Sequence, residues 1–521
     1  MNPVATGSRH PVAAGSRHPV AAGATNPGVL KPARAPLAAF LLGAASVLGF
    51  APFGLAPLPF FSAAGLLWLW QSAATPRRSA GLGFAFGLGL FLAGVSWVYV
   101  SLHEFGAMPA PLAAVATLLF CAFLALAPAL VGYLQARARR PVAIRQLLLI
   151  PALWVLGEWL RDWIFTGFPW LALGYSQSAS PLAGYAPLAG VFGVSWLVWL
   201  CAALLLALLR ARGRIAALTG LALLFATGYG LKQVEWTRAL GAPVTVSLLQ
   251  GNIAQEMKWD EARFAATVQL YQRMSAGAPA RLVILPETAI PRFLDRLDPE
   301  LLRALAQTAR GAGGDLIMGL PMRDATGRYY NSVLSLGTSP SQRYDKIHLV
   351  PFGEFIPPGF GWVLSILKIP LSDFSRGGIT QAPLALAGQK VAVNICYEDA
   401  FGEEIIRFLP EATLLVNASN VAWFGHSLAP HQHLQIAQLR ALETGRTMLR
   451  ATNSGMTAII DHHGNITAAL PAFTQGVLKG VAQGRAGATP YVRWGNAPVL
   501  VLALLLCALS MLRQGKPAAP V

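Results

Sequence analysis

Three residues of the types that acyl transfer needs lie next to predicted strands. Cys396 ends the β-branched run V-A-V-N-I-C, Glu287 follows L-V-I-L-P, and Lys346 lies in R-Y-D-K-I-H-L. A carboxylate can accept the thiol proton, the thiolate can attack a carbonyl carbon, and an ammonium can stabilise the oxyanion that develops. Spacing alone does not single the trio out, because a Glu or Lys at a strand end is most often a solvated surface residue.

Cys396 is the one cysteine of four that lies outside a long apolar run. Cys121, Cys201 and Cys507 fall inside predicted membrane spans, where a thiol acts as a small packing side chain. A single extramembrane cysteine cannot form an internal disulfide there, so its thiol is free for chemistry. We therefore predict that Cys396 is the reaction centre.

The composition indicates that part of the chain lies in a bilayer. Of its 521 residues, 55% are hydrophobic and only 12% are charged, which is outside the range of soluble globular proteins. Apolar stretches of about the length that crosses the hydrocarbon core as a helix predict eight transmembrane helices. They lie at 35–51, 58–74, 80–102, 109–134, 146–160, 183–209, 215–231 and 497–512.

Positive residues predict how these helices are oriented. Lys and Arg cluster before the first span, in every second loop between spans, and after the last span, all on one side of an eight-span topology. Such residues are retained in the cytoplasm, so the segment 233–493 is expected to face outward. The net charge of +17 is explained by these loops and by anionic headgroups, and no nucleic-acid partner is expected. The sequence thus predicts a disordered cytoplasmic tail (1–34), a seven-helix membrane domain (35–232), a catalytic domain (243–485) and a C-terminal membrane helix (493–513).

The outward segment has the pattern of an α/β domain. Short β-branched runs alternate with amphipathic helices, and about 240 residues can bury a sizeable core. The predicted strands are 244–250, 281–286, 315–320, 332–336, 391–396, 413–417 and 457–461, and the predicted helices are 260–276, 299–310, 401–408 and 430–447. The segment 352–362, rich in Gly and Pro, is a candidate lid.

Several other chemistries lack their sequence signals. The chain has no H-E-x-x-H, no paired C-x-x-C, no G-x-S-x-G and no phosphate-binding glycine loop, so metalloprotease, zinc-site, serine hydrolase and nucleotide-binding interpretations lose their main support. His431 and His433, and the run Asp461-His462-His463, are possible ligands without a metal-site spacing. We predict no metal and no cofactor.

The motifs around the trio resemble a known family. L-P-E-T, Y-D-K-I-H-L-V-P-F-G-E and N-I-C-Y-E-D are similar to the Glu-Lys-Cys active site of the nitrilase (carbon–nitrogen hydrolase) superfamily. Together with seven upstream spans and one downstream span, they resemble the apolipoprotein N-acyltransferase family. Supporting stretches are Q-E-M-K-W-D-E, G-F-P-W-L-A-L-G-Y-S-Q, S-N-V-A-W-F-G and the segment 433–455. The resemblance covers nearly everything after about residue 35.

The resemblance implies roles for individual residues. Cys396 would be the nucleophile and acyl carrier, Glu287 the general base, and Lys346 the residue that supports the tetrahedral intermediate together with the backbone N–H of Tyr397. The family also implies further acidic positions and aromatic residues that orient Lys346, shape the pocket and hold its loops; these are Glu354, Glu398, Trp259 and Trp423. Val421 departs from the family, whose members often carry an acid there.

The implied fold is an αββα sandwich with a bundle of membrane helices. The implied reaction transfers a fatty acyl group from a membrane glycerophospholipid, through a thioester, to the α-amino group of a diacylglyceryl-cysteine at the N-terminus of a lipoprotein. The implied location is the bacterial inner membrane, with the catalytic domain in the periplasm. Two alternatives remain, a membrane-anchored nitrilase-like amidase and a catalytically inactive lipid- or lipoprotein-binding membrane protein.

Overall fold

The structure, a computed structural model, describes residues 33–210, 213–357, 359, 361 and 373–511. The predicted disordered tail (1–34) lies outside the described residues except for its last two, and part of the predicted lid (352–362) lies outside them as well.

Apolar helices form the first part of the chain, and one more follows the α/β domain. They are α1 (Ala35–Ser46), α2 (Leu58–Gln71), α3 (Pro76–Val95), α4 (Val98–Val100), α5 (Ala110–Arg137), α6 (Val142–Ile144), α7 (Ile150–Trp163), α8 (Ala186–Leu208), α9 (Arg214–Lys232) and, at the end, α15 (Ala497–Met511).

Within the described residues, five helical segments are long and apolar enough to cross a membrane: Pro76–Val95, Ala110–Arg137, Val142–Thr166, Pro181–Leu208 and Arg214–Lys232. Ala35–Gly49 and Ala497–Met511 are shorter apolar helices, and α2 has 14 residues. The chain is therefore a membrane protein, and each predicted span contains a helix. Helix length supports five of the eight predicted crossings directly.

Glycines let the backbones of the membrane helices approach closely. A Cβ atom on Gly89 of α3 would lie 2.0 Å from the carbonyl oxygen of Phe40 in α1, and one on Gly43 of α1 would lie 1.9 Å from that of Phe86. Small residues permit this packing in lipid, where van der Waals contact replaces the hydrophobic effect between helices.

We expect Gly89→Ala to destabilise the membrane domain, because the added methyl group would force α1 and α3 apart at a cost of about 1–3 kcal/mol. The measurement is the thermal unfolding midpoint in detergent. Gly81→Ala, also in α3, is the matched control because its Cβ would have no atom within 4 Å. Equal unfolding midpoints for Gly89→Ala and Gly81→Ala would show that the close approach of α1 and α3 at Gly89 does not limit stability.

The α/β domain contains two six-stranded mixed sheets. The first has the order β13-β2-β3-β4-β5-β6 and the second β12-β11-β10-β9-β8-β7. In each, parallel pairing holds the central strands and antiparallel pairing the outer ones. The strands are β1 (Arg238–Ala239), β2 (Val244–Gln250), β3 (Leu282–Ile284), β4 (Asp315–Arg323), β5 (Tyr329–Gly337), β6 (Arg343–Asp345), β7 (Leu384–Leu386), β8 (Gln389–Ile395), β9 (Leu414–Ser419), β10 (Thr447–Thr452), β11 (Ala458–Ile460), β12 (Ile466–Ala469), β13 (Gly476–Ala482) and β14 (Arg485–Ala486), the first and last of which pair with each other.

Helices cover the outer faces of the two sheets. The helices of this domain are α10 (Glu261–Ala276), α11 (Pro299–Gly311), α12 (Gly402–Ile405), α13 (Ala429–Thr444) and α14 (Pro490–Trp494). One core joins the inner faces of both sheets, with Val246 and Val416 among its members, and a second joins the first sheet to α10 and α11. The expected nitrilase-like α/β fold is confirmed. The sequence-based assignment missed five strands of the two six-stranded sheets: β6, β7, β10, β12 and β13.

Helix α13 belongs to two cores at once. Leu434, Ala437 and Ala441 pack with the sheets, whereas Ile436 and Leu439 pack with the membrane helices. Of its 16 residues, 14 are buried. This helix therefore joins the catalytic domain to the membrane domain.

Candidate active site

Cys396 lies at the carboxyl end of β8, where the chain turns sharply. Its φ is +53°, and the next residues form the short helical turn Cys396–Ala400. A non-glycine residue pays an energetic cost in this conformation and keeps it only where the surroundings impose it. Asn417 Nδ2 donates a hydrogen bond to the Cys396 carbonyl oxygen over 3.0 Å. The turn lifts the thiol out of the strand, a geometry that suits the predicted role of nucleophile.

Glu287 and Lys346 meet at one edge of the first sheet. Glu287 follows β3 and Lys346 follows β6; the pairing makes these two strands run in the same direction, so their carboxyl ends share an edge. The Lys346 Nζ lies 3.4 Å from Glu287 Oε1 and 2.8 Å from Glu354 Oε1. Asn331 Nδ2 donates to both carboxylates, over 2.7 and 2.8 Å. The structure thus gathers these groups although the sequence separates them.

The charges of this cluster stabilise one another. Burial opposes ionisation of Glu287, but the ammonium groups of Lys346 and Lys258, with a hydrogen bond from Asn331, lower its pKa below the usual value. Burial likewise opposes the charge of Lys346, but Glu354 and Glu287 outweigh it and raise the pKa. The ionised forms of both residues are therefore favoured at neutral pH.

The Cys396 thiol is protonated in the resting site. Burial raises its pKa to about 12, and the Glu287 carboxylate acts in the same direction while Lys346 opposes it. A thiol with this pKa forms little thiolate at neutral pH. A thiol of this kind needs a base before it can attack, and Glu287 is the carboxylate whose charge acts most strongly on it.

Glu398 ties the lysine-bearing segment to the cysteine-bearing turn. Its Oε2 accepts from the backbone N–H of Ile395 over 2.6 Å, and its Oε1 accepts from those of Ile347 and His348 over 2.6 and 3.0 Å. The Tyr344 hydroxyl lies 3.0 Å from each oxygen. Burial raises the pKa of Glu398 to about 7, while the backbone donors and Lys346 oppose this. Glu398 thereby fixes the position of Lys346 relative to Cys396.

The remaining sequence-predicted residues surround the trio. Trp259 is half-buried after the short helical turn Gln255–Met257. Trp423 is half-buried, packs edge-on against Phe105 of the membrane domain, and its carbonyl oxygen accepts from the Ser101 hydroxyl over 2.6 Å. Val421, the predicted departure from the family pattern, is buried.

Tyr397 anchors the site to the membrane domain. Its hydroxyl donates to the Gly167 carbonyl oxygen over 2.6 Å, and its ring stacks on Trp170 at a centroid distance of 5.8 Å. Nearby, Trp163 and Phe165 are 52% and 66% exposed. The loop 161–181 therefore has an exposed aromatic part and a part that docks the catalytic domain.

A buried polar network lies behind the nucleophile. Asp399 accepts from Arg450 over 2.7 Å and lies 2.6 Å from His433 Nε2, and Arg450 also donates to Asn417 over 2.6 Å. Asn417 holds the Cys396 carbonyl group. The network thus links β8, β9, β10 and α13 to the turn that carries the thiol.

Sequence reasoning missed two buried residues of the site. Asn331 is a polar residue inside the otherwise apolar strand β5, and Lys258 precedes Trp259 in the motif K-W-D. The Lys258 ammonium donates to the Glu287 carbonyl oxygen over 3.1 Å. A polar side chain in an apolar strand was the available signal for Asn331, whereas the charge of Lys258 suggested a solvated residue.

Comparison with known proteins decides the family. Residues 42–204 match the family described as "Apolipoprotein N-acyltransferase N-terminal domain", and residues 245–491 match "Carbon-nitrogen hydrolase". A Nitrosomonas europaea protein named apolipoprotein N-acyltransferase is 54% identical over 91% of this chain and 97% of its own. The chain belongs to the apolipoprotein N-acyltransferase family. The family expected from the motifs is therefore confirmed, and the protein is an acyltransferase.

Other members of the apolipoprotein N-acyltransferase family are similar over comparable lengths. The Chromobacterium violaceum relative is 50% identical over 92% of this chain and 95% of its own. A crystal structure of a carbon-nitrogen hydrolase from Helicobacter pylori G27 has a TM-score of 0.36 and 17% identity, covering 49% of this chain and 95% of that one.

One cluster of possible metal ligands occurs in the described part of this acyltransferase. Glu235, His462 and His463 offer ligand atoms within 4.8 Å of one another. The Arg485 guanidinium also pairs with the Glu235 carboxylate. The positively charged Arg485 side chain therefore already pairs with one side of the Glu235 carboxylate. The cluster includes none of the residues around Cys396.

We expect Glu398→Gln to lower both stability and the rate of Cys396 acylation, because an amide NH2 would face backbone N–H donors. An unsatisfied buried donor costs about 1–3 kcal/mol. Thermal unfolding and intact mass after incubation with phospholipid measure the two effects. Glu411→Gln, on the exposed surface, is the control. A Glu398→Gln protein as stable as wild type would refute the role of Glu398 in holding the Lys346 and Cys396 segments together.

The pH dependence of thiol reactivity follows from the lowered pKa of Glu287. The base stays ionised as pH falls, so we expect the alkylation rate of Cys396 to change little from about pH 7 to about pH 5 and to fall only below the usual carboxyl range. Iodoacetamide and intact mass provide the measurement, with Cys396→Ser giving the background from the other cysteines. A midpoint near pH 6 or above would rule out Glu287 as the base.

Proposed function

We propose that the protein transfers a fatty acyl group from a membrane glycerophospholipid, through a thioester on Cys396, to the α-amino group of a diacylglyceryl-cysteine at the N-terminus of a lipoprotein. The observation that carries this proposal is the convergence of Glu287, Lys346 and Cys396 in a buried site joined to the membrane domain. Membership of the apolipoprotein N-acyltransferase family supports a lipoprotein as the acyl acceptor. Glu287, Lys346 and Cys396 are the proposed catalytic triad.

In the first half-reaction the thiol attacks the ester carbonyl carbon of the phospholipid. Glu287 takes the proton of Cys396 as the S–C bond forms, and the Lys346 ammonium with the backbone N–H of Tyr397 stabilises the oxyanion. When the intermediate collapses, the ester C–O bond breaks and Glu287 returns the proton to the departing oxygen of the lysophospholipid. Electron pairs and protons balance without a cofactor.

In the second half-reaction the free amine of the acceptor attacks the thioester. The N–C bond forms, the C–S bond breaks, and Glu287 accepts a proton from the amine and passes it to the thiolate of Cys396. The enzyme then regains its resting protonation state. Glu354, which contacts Lys346 directly, keeps that ammonium in place through both steps.

The junction between the domains supports lipid substrates. Tyr397 and Trp423, both adjacent to the site, contact residues of the membrane domain. Drawing an acyl chain into water would cost about 0.8 kcal/mol per CH₂, and a site at the membrane surface avoids that cost. The exposed Trp163 and Phe165 would meet lipid at this interface.

The proposed topology has eight spans, with 35–232 and the helix within 493–513 in the bacterial inner membrane and the catalytic domain 243–485 in the periplasm. The distribution of Lys and Arg supports it. Where a span is short, as in α2, local thinning of the bilayer would accommodate the mismatch. Membrane lipids, the phospholipid donor and the lipoprotein acceptor are the proposed partners.

Two alternatives use the same fold. A membrane-anchored amidase would release the acyl group to water, and an inactive lipid-binding protein would form no acyl-enzyme. The intact trio argues against the second, and a large membrane domain is unnecessary for the first.

We expect incubation of the purified enzyme with phosphatidylethanolamine to add one fatty acyl mass to wild type and none to Cys396→Ala. The adduct should be sensitive to hydroxylamine because it is a thioester. Adding a diacylated lipopeptide with a free N-terminus should discharge it within one turnover and yield the N-acylated peptide.

The controls separate the alternatives. A lipopeptide with a blocked α-amine should leave the adduct in place. Discharge by water at the same rate with either peptide would favour the amidase, and absence of an adduct with every phospholipid tested would favour the binding protein. Glu287→Gln should slow adduct formation by about 10²-fold or more, the usual contribution of a general base.

A further inference from the structure

Lys258 is a buried cation in the active site that the proposed mechanism does not use. Its side chain is 6% exposed, and its Nζ donates to the Glu287 carbonyl oxygen over 3.1 Å. Among the described residues, no carboxylate oxygen lies within 4 Å of that nitrogen. A buried ammonium without a direct ion pair is costly, so the surrounding charges must compensate for it.

The position of Lys258 is fixed by its loop. Asn453 donates to the Ile253 carbonyl oxygen over 2.7 Å and accepts from the Ile253 N–H over 3.0 Å, and Asn420 donates to the Gln255 side chain over 2.8 Å. These buried amides hold the segment before Lys258 against the second sheet. The ammonium is therefore held in a defined place beside Glu287.

The charges in the pocket balance only when Lys258 is counted. Lys346 is paired with Glu354 at 2.8 Å and is farther from Glu287, at 3.4 Å. On the other side of the nucleophile, the charge of Arg450 is matched by Asp399 at 2.7 Å, and burial lowers the pKa of His433 and favours its neutral form. Glu287 therefore shares the Lys346 ammonium with Glu354, and Lys258 is the second cation that acts on its charge.

We infer that Lys258 is a positioning residue that supplies the second positive charge of the pocket and thereby keeps Glu287 ionised as the base. This inference rests on the proposed function of Glu287. With Lys258 charged, the charges of Glu287, Glu354, Lys346 and Lys258 sum to zero in the resting site; Glu398, whose pKa burial raises to about 7, stands outside this sum. When Glu287 takes the Cys396 proton, these four side chains sum to +1, and the negative charge of the thiolate, and later of the oxyanion, returns the total to zero.

Electrostatics agree with this geometry. Burial lowers the pKa of Lys258 to about 8, while the charges of Glu287 and Cys396 act to raise it. The positive charge of Lys258 in turn helps to lower the pKa of Glu287. Removal of the positive charge should therefore raise the pKa of Glu287 and make it protonate at a higher pH.

The test is the pH profile of Cys396 alkylation by iodoacetamide in the full-length enzyme in detergent. For Lys258→Gln we expect the acid midpoint to rise by about one pH unit or more, which corresponds to a tenfold loss of rate at a pH on the acid limb. Lys258→Arg keeps the charge and should retain a midpoint close to that of wild type. Lys479→Gln removes an exposed lysine and controls for net charge.

The outcomes are distinct. A Lys258→Gln midpoint equal to that of wild type, in a protein with a native unfolding temperature, would overturn the inference. A shift of the same size in Lys258→Arg would also overturn it, because the effect would then come from shape. If wild-type Cys396 forms no acyl adduct with phospholipid, the proposed function fails separately, since the alkylation profile does not depend on phospholipid.

Discussion

The carboxylate of Glu398 is the contact on which the geometry of the site depends. It accepts hydrogen bonds from both the segment after β6 and the residue before Cys396, which belong to different sheets. Two sheets that pack face to face can slide relative to each other unless something fixes their register. A buried acceptor with donors from both sheets does so, because leaving any of these donors without a partner would cost free energy. The distance between the ammonium and the thiol is set in this way.

The second constraint is the burial of several charges in a small volume. Lys346, Glu287 and Glu354 are stable there because each stands close to a group of opposite sign, and Asn331 binds both carboxylates. Such an arrangement is prepared before substrate arrives, so the proposed mechanism would need little reorganisation when the oxyanion forms. The network of Asp399, Arg450 and Asn417 extends the same principle behind the nucleophile.

The sequence predicted what local patterns encode. Apolar run length located the membrane helices, and β-branched runs located β2 and β4 and placed Cys396 and Glu287 at strand ends. Strand β10 was missed because the predicted helix was extended to residue 447, past Gly445, the left-handed residue that ends α13, and β13 was missed because glycines interrupt its pattern. The positive φ of Cys396 and the burial of Lys258 result from contacts between distant segments, which no local pattern records. Glu354 and Glu398 were found through family resemblance, and their partners became visible only in the fold.

Helix α13 has a consequence for the modularity of this enzyme. In a soluble hydrolase the outer helix of a sandwich needs only one apolar face, whereas α13 has partners on nearly every side: Gln432 binds the Gly94 carbonyl oxygen, Gln435 the Ala51 N–H, and Arg440 the Tyr175 hydroxyl. Severed from the membrane helices, the catalytic half would expose both the apolar side chains and the orphaned amides of this helix. The catalytic half is therefore not a detachable module, because the surface it presents to the membrane helices is built for contact with protein and not with water.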